Sequence, residues 1–92
     1  MIKSFKCRDT EVMFNGKRIE RFIIIQSAAM RKLALLNVAG RIEDLRVPPG
    51  NRLEALKGKR KQQWSIRIND KWRICFRFEA GNAFDVEIVD YQ

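Results

Sequence analysis

Three runs in the C-terminal third of the chain alternate apolar and polar residues with the period of two that is typical of β-strands. They span residues 64–68, 72–78 and 84–89. The connections at 69–71 and 80–82 are short and contain Asn, Asp and Gly, which favour tight turns. Because tight turns join antiparallel neighbours, the pattern predicts a three-stranded antiparallel meander.

The same alternation predicts which side chains share a face of the sheet. Even-numbered positions are apolar and include Trp64, Trp72 and Phe84. Since successive side chains of a strand point to opposite faces, this set is expected to pack in the core rather than to stack on a ligand. The odd-numbered positions are mainly polar and form the other face, which is expected to carry Arg67, Arg73 and Arg77, with Tyr91 at the end of the neighbouring strand.

The first half of the chain changes to a helical period. Ile25, Ala29, Leu33 and Leu36 recur at spacings of three and four, which predicts a helix over 27–38 with one buried face, ended by Gly40.

Shorter elements are expected on either side of this helix. Residues 2–7 alternate and predict a first strand, and Asp9 or Thr10 is placed to cap a short helix that ends at Gly16. Pro-Pro-Gly-Asn at 48–51 is a break that no regular element should cross, and a helical turn is expected over 52–57. Together these elements predict an α+β protein with a single domain, residues 1–92.

Composition narrows the class of protein. With 46% apolar residues the chain is globular, and no apolar run has the length of a membrane span. In the absence of a secretory signal, Cys7 and Cys75 are interpreted as reduced, mostly buried thiols of a cytoplasmic protein. The chain has no histidine, which excludes the Ser-His and Cys-His catalytic arrangements. No metal or other cofactor is expected.

The net charge is concentrated in one third of the chain. The segment 46–77 has ten basic and two acidic side chains, whereas the rest of the chain is balanced, so the segment accounts for the full net charge of +8. A single arginine on a sheet is usually solvated or paired, and Arg77 has candidate partners in Asp85 and Glu87. The imbalance of the whole segment instead favours a polyanion, most simply a nucleic acid.

Three stretches of the chain carry a resemblance to a known family. They are Pro-Pro-Gly-Asn-Arg-Leu-Glu-Ala-Leu-Lys-Gly at 48–58, Trp-Ser-Ile-Arg-Ile-Asn-Asp-Lys-Trp-Arg-Ile-Cys-Phe at 64–76, and Val-Glu-Ile-Val-Asp-Tyr at 86–91. With the opening Met-Ile-Lys-Ser-Phe, the sequence resembles the HigB-type toxins, the host-inhibition branch of the RelE/ParE toxin superfamily.

The resemblance implies a RelE-like fold, with two N-terminal helices packed on a mostly antiparallel sheet of about four strands. It also implies a ribosome-dependent endoribonuclease that cuts mRNA, inhibited by a helix-turn-helix antitoxin of the HigA kind, with DNA met only through that antitoxin. The family's functional lysine, arginine and tyrosine match Lys57, Arg73 and Tyr91. Glu54 and Gln92 stand where characterised members often have histidine.

Cleavage is expected to proceed by attack of the RNA's own 2′-hydroxyl on the adjacent phosphate, which requires positive charge, a base and an acid. Arg73 and Lys57 are the candidates for the charge, and either Glu54 or a deprotonated Lys57 is the base. Tyr91 is either the acid or a stacking surface, and Gln92 only positions. The expected RNA-binding side chains are the surrounding cations: Arg52, Lys59, Arg60, Lys61, Arg67, Lys71 and Arg77.

Three other functions remain open from the sequence. A non-catalytic nucleic-acid binder would use the same sheet and loop. A ParE-like gyrase poison would share the architecture without needing Lys57, Arg73 and Tyr91. An inactive toxin would only bind its antitoxin and adjust repression of its operon.

Overall fold

The computed structural model describes residues 1–60 and 62–90. Within these residues the regular elements are α1 (Arg8–Phe14), α2 (Gln26–Val38), β1 (Glu54–Ala55), β2 (Trp64–Arg67), β3 (Trp72–Glu79) and β4 (Asn82–Asp90). The strands form one sheet in the order β1-β2-β3-β4, and every neighbouring pair is antiparallel. The α+β class and the C-terminal meander are therefore confirmed.

Helix α2 begins one residue before the predicted start and ends at the predicted residue. Its apolar stripe is buried at Ala29, Leu33 and Leu36, as the spacing predicts. The backbone leaves the helix at Ala39, which is extended (φ −64°, ψ 127°), so Gly40 follows the end of the helix.

Helix α1 begins earlier than expected and without a side-chain cap. Its N-cap is Cys7, so the prediction that Asp9 or Thr10 caps the helix is wrong. Thr10 is fully buried, and its hydroxyl accepts a hydrogen bond from the Ile88 backbone N–H at 3.2 Å. The hydroxyl is thus used to join α1 to β4, a contact between residues 78 positions apart that no local pattern indicates.

The core lies between the helices and one face of the sheet. Residues of α1, α2 and the three long strands share a single hydrophobic cluster, against which Trp64 and Trp72 pack. The Phe22 and Trp72 rings meet edge to face, with centroids 5.6 Å apart. The prediction that both tryptophans belong to the core is confirmed.

The link between β3 and β4 is a two-residue hairpin turn. Ala80 and Gly81 both have positive φ (50° and 79°), as a type I′ turn requires. A Cβ atom on Gly81 would lie 3.1 Å from the Gly40 carbonyl oxygen, so the loop after α2 also requires glycine there.

A β-bulge at the start of β4 changes the face of its first residues. Asp85 has φ 55° and is the extra residue between the pairs Cys75–Glu87 and Arg77–Phe84. As a result Ala83 is fully buried, and the Phe84 ring lies on the other face with its centroid 5.0 Å from the Arg77 Cζ. The prediction that Phe84 belongs to the apolar face is therefore wrong.

The N-terminal segment lies beside β4 without forming the predicted strand over 2–7. Two isolated parallel bridges, Ile2 with Ala83 and Phe5 with Val86, flank the bulge. Between them, the Asp85 backbone N–H donates to the Ser4 hydroxyl at 2.9 Å instead of to a carbonyl. The bulge thus interrupts the ladder that a regular strand would need.

Strand β1, which adds a fourth strand to the meander, lies where a helical turn was expected. Within 52–57, Glu54 and Ala55 form β1 and pair with Ser65 and Trp64 of β2. The preceding Pro-Pro-Gly-Asn contains one 3₁₀ turn (Pro49–Asn51), after which Arg52 adopts a left-handed conformation (φ 46°, ψ 54°). This turn brings the following residues back along β2.

Neither α-helix of the described residues has the length and apolar character that a membrane crossing needs. Both cysteines are free thiols. Cys75 is buried and Cys7 is half-buried, and burial raises the pKa of the Cys75 thiol.

Candidate functional site

Arg73 projects from the middle of the sheet and is held on several sides. Its Nε donates to the Ser65 hydroxyl at 2.8 Å, and its Nη2 donates to the Arg52 backbone carbonyl at 2.8 Å. Only 11% of the side chain is exposed. A buried charge is tolerated when its donors are hydrogen-bonded. The same hydrogen bonds keep the guanidinium in one orientation.

The face that carries Arg73 is not open at this point. Ser65 and Cys75, which lie on the same face, are fully buried. Strand β1 and the turn before it lie beside them, since Glu54 pairs with Ser65. The sequence pattern predicts the correct face for Arg73 but not its burial.

Glu54 provides a carboxylate next to this guanidinium. The Glu54 Oε1 lies 3.7 Å from the Arg73 Nη2, and about half of the Glu54 side chain (54%) is exposed. A hollow of about 340 Å³ opens here and is lined by Arg52, Leu53, Glu54 and Arg73. The hollow therefore presents a fixed cation and a solvent-accessible proton acceptor side by side.

Lys57 and Lys59 lie on the exposed loop after β1. Among the described residues, neither ammonium group forms an ion pair or a side-chain hydrogen bond, and the same is true of the exposed Arg52 guanidinium. The structure places these cations on the chain that lines the hollow, and it does not bring Lys57 into contact with Arg73 or Glu54. They remain available to an anion.

Three further cations of the basic segment are paired with carboxylates. Arg60 bonds to Glu87 at 2.7 Å, Lys71 lies 3.6 Å from Asp90, and Arg67 pairs with the exposed Asp70. Most of these carboxylates come from β4, outside the basic segment. The segment 46–77 has few carboxylates of its own, as expected, but in the fold carboxylates from outside the segment compensate part of its charge.

Arg77 is paired with two carboxylates on the surface of the sheet. Its Nε donates to Asp85 at 2.9 Å, its Nη1 lies 3.2 Å from Glu79, and its guanidinium lies over the Phe84 ring. The hydrogen bond to Asp85 is the main reason why its pKa is raised. Of the two partners considered from the sequence, Asp85 is the one used, and Glu87 pairs with Arg60.

Sequence reasoning missed Ser65 and the Arg52 carbonyl as parts of the site. The sequence does indicate Ser65, because it is a small polar residue on the same face of the sheet as Arg73. It pairs with Cys75, which is two positions from Arg73 along β3. The Arg52 carbonyl had no signal, since left-handed backbone is unusual for arginine. Three predicted site residues, Lys61, Tyr91 and Gln92, lie outside the described residues.

We predict that Ser65 acts on catalysis through Arg73. Ser65→Ala removes the acceptor of the Arg73 Nε, and the freed guanidinium is expected to lower the rate at saturating substrate by up to about 10²-fold. Ser65→Thr keeps the hydroxyl and should restore most of the rate. A double-mutant cycle with Arg73→Ala checks the route. If Ser65→Ala lowers the rate equally in both backgrounds, Ser65 does not act through Arg73.

Comparison with known proteins gives a match over almost the whole chain. A family model described as a RelE-like toxin of the type II toxin–antitoxin system HigB matches residues 4–92. Toxin HigB-1 of Vibrio cholerae serotype O1 is 38% identical over 87 residues, which cover 92% of each chain. Endoribonuclease HigB of Proteus vulgaris is 33% identical over 97 residues, which cover 99% of each chain.

Proposed function

The chain belongs to the RelE-like HigB toxins of type II toxin–antitoxin systems, and from this premise we propose that it inhibits translation as an endoribonuclease that cuts mRNA on the ribosome. The relative from Proteus vulgaris carries the name of that activity. The observation that supports it most is the hollow at Arg73, where a fixed guanidinium lies 3.7 Å from the Glu54 carboxylate. We propose the RelE-like arrangement, with both helices packed on the sheet, as its fold, in one domain.

The proposed reaction is an internal transfer at phosphorus. Glu54, or alternatively a deprotonated Lys57, takes the proton of the 2′-hydroxyl as its oxygen bonds to the adjacent phosphorus. The bond from phosphorus to the 5′-oxygen breaks, and an acid gives that oxygen a proton. The products are a 2′,3′-cyclic phosphate and a 5′-hydroxyl. Tyr91 is the proposed acid or a stacking surface, and Gln92 positions the substrate.

Arg73 supplies positive charge to the phosphate while its oxygens gain negative charge, and with Glu54 as the base a protonated Lys57 does the same. Arg73 suits this role because its donors are oriented before the substrate arrives, so little reorganisation is needed in the transition state. Lys57 is exposed and approaches from the loop. The two cations thus combine a rigid contact with an adaptable one.

The proposed RNA-binding set includes Arg52 and Lys59, which lie on the chain at and after the hollow. Its other members are Lys61, which lies outside the described residues, and the paired cations described above: Arg60, Arg67, Lys71 and Arg77. The ion pairs of Arg67, Lys71 and Arg77 are more exposed than that of Arg60. Exposed ion pairs contribute little to stability, so a phosphate can replace these carboxylate partners at small cost. Contacts to phosphate discriminate little between RNA sequences. We therefore propose that the ribosome selects the cleavage site by presenting mRNA to the protein.

The proposed partners follow from this assignment. A type II toxin has an antitoxin, and we propose one of the HigA kind with a helix-turn-helix domain, through which DNA is met only indirectly. Ribosomes and mRNA are the targets, and the cytoplasm is the proposed location. No membrane partner is proposed.

The chemistry of the new RNA ends tests the proposed reaction. Fragments of mRNA cut in a purified translation system should carry a 5′-hydroxyl, which accepts phosphate from a kinase directly, and a 2′,3′-cyclic phosphate. Fragments with 5′-phosphate ends would contradict attack by the 2′-hydroxyl. Intact mRNA from ribosomes that still bind the protein would favour the non-catalytic binder.

We predict that Lys57→Ala lowers the rate of cleavage by about 10²-fold, because one charged donor to the phosphate is lost. The rate is measured at saturating ribosome concentration, and Lys57→Arg should recover part of it. Lys17→Ala is the control, since it removes the same charge from an exposed position far along the chain from the hollow. Equal rates for Lys57→Ala and Lys17→Ala would remove Lys57 from the mechanism.

A further inference from the structure

A second group of cations lies where α2 meets the turn before β1. Lys32 of α2 is half-buried, and its ammonium donates to the Asn51 side-chain oxygen. Asn51 is fully buried, and its own amide donates to the Leu45 backbone carbonyl at 3.1 Å. The Lys32 ammonium is therefore held by a rigid anchor, unlike a lysine that extends freely into water.

Lys32 is next to a second cation in the sequence, Arg31. Burial is the main reason why the pKa of Lys32 is lowered, and Arg31 and Arg67 lower it further by repulsion. Arg31 is exposed and donates to the neutral Ser27 hydroxyl at 3.0 Å. Among the described residues neither Lys32 nor Arg31 pairs with a carboxylate, so the two leave an excess of positive charge. Such an excess is relieved by an anion.

This group is continuous with the hollow at Arg73. Asn51, which anchors Lys32, is followed directly by Arg52, whose carbonyl accepts the hydrogen bond from the Arg73 Nη2 at 2.8 Å. Lys32 and Arg31 also line a depression of about 420 Å³, together with Ala34, Leu35 and Pro48. The backbone at 51–52 therefore connects the anchor of Lys32 to the anchor of Arg73.

We propose that Lys32 and Arg31 form a second phosphate-binding position, which takes RNA backbone away from the bond cut at Arg73. The proposal rests on the proposed function, because it takes RNA as the ligand. An mRNA flank and ribosomal RNA offer the same phosphate chemistry. Arg31 and Lys32 lie in the part of the sequence where charges balance, so the sequence does not single them out.

Salt dependence of RNA binding tests the proposal. The probe is a labelled single-stranded RNA with 2′-O-methyl groups, which cannot be cut by 2′-hydroxyl attack. Each phosphate contact that is lost should reduce the slope of log affinity against log salt by about 0.7. We expect this reduction for Lys32→Gln and for Arg31→Gln. The matched control Lys17→Gln removes one exposed charge elsewhere and should keep the wild-type slope.

A second arm uses ribosomes. For the same variants, we expect a rise in the toxin concentration that gives half-maximal mRNA cleavage. A change in both arms shows that the position binds single-stranded RNA backbone of the kind that an mRNA flank presents, and a change confined to the ribosome arm identifies ribosomal RNA. Wild-type behaviour of both variants in both arms would overturn the proposal.

Two further controls separate the possible failures. Arg31→Gln alters an exposed side chain with no buried contact, so it keeps the test valid if Lys32→Gln destabilises the fold. Failure of the proposed function would appear differently, as intact mRNA with the wild-type protein. The slopes in the RNA arm would still report whether phosphate binds at Lys32.

Discussion

Replacing Arg73 with alanine is expected to lower the rate of mRNA cleavage by about 10²–10³-fold, the usual cost of removing one fixed donor to a developing negative charge. The guanidinium is oriented by Ser65 and Arg52 before RNA binds, at distances of 2.8 Å. Arg73→Lys should recover little, because an ammonium cannot occupy both positions of the fork. Initial rates on ribosomes measure the effect.

The control must separate lost chemistry from lost stability. Arg73→Ala leaves the buried Ser65 hydroxyl and the Arg52 carbonyl without this donor, which costs about 1–3 kcal/mol for a buried unsatisfied group. Thermal unfolding of each variant therefore accompanies the rates. The control variant Arg41→Ala lacks an arginine whose side chain is 75% exposed, and it should cleave mRNA at the wild-type rate. A folded Arg73→Ala variant that cleaves at the wild-type rate would show that the hollow is not the catalytic site.

Replacing Glu54 with glutamine is expected to lower the rate by about 10²–10⁴-fold if the carboxylate is the general base. Glutamine keeps the size of the side chain and can still accept a hydrogen bond from Arg73, but it cannot take a proton. The substitution therefore separates proton transfer from the ion pair at 3.7 Å. Rates at saturating ribosome concentration measure it.

Glu54→Asp is the matched control for this experiment. It keeps a carboxylate on β1, so it should retain more activity than Glu54→Gln. A Glu54→Gln variant as fast as the wild type would contradict a catalytic carboxylate, and a deprotonated Lys57 would then be the remaining candidate base.

The parts of the fold that follow local rules could be predicted from the sequence. The buried stripe of α2 has a helical period, and the meander has a period of two with turn residues between its strands. Both patterns depend only on residues of the same helix or strand, which repeat with the period that places them on the core side. For this reason the positions of Trp64 and Trp72 could also be predicted.

The parts of the fold that were predicted wrongly from the sequence depend on contacts between distant residues. The bulge at Asp85 reverses the face of Ala83 and Phe84, and its backbone N–H is bonded by Ser4, 81 positions away. Strand β1 has only two residues, too few for any periodic signal. It exists because Glu54 and Ala55 pair with β2.

The site shows the same division. The residue types and the shared face indicate a group of cations that meets phosphate, and the resemblance to the toxin family selects Arg73 among them. Its burial and its neighbour Glu54 come from the register of β1 on β2, which the sequence does not reveal. The compensation of Arg60 and Arg77 by carboxylates of β4 likewise appears only when the chain is folded.

Primer extension on an mRNA in a purified translation system tests the central claim most directly. The reactions contain the wild-type protein or Arg73→Ala, each with and without ribosomes. We predict new 5′ ends within the coding region that need ribosomes and the wild-type arginine. Efficient cutting of naked transcript would contradict ribosome dependence, and intact mRNA in every reaction would contradict the endoribonuclease itself.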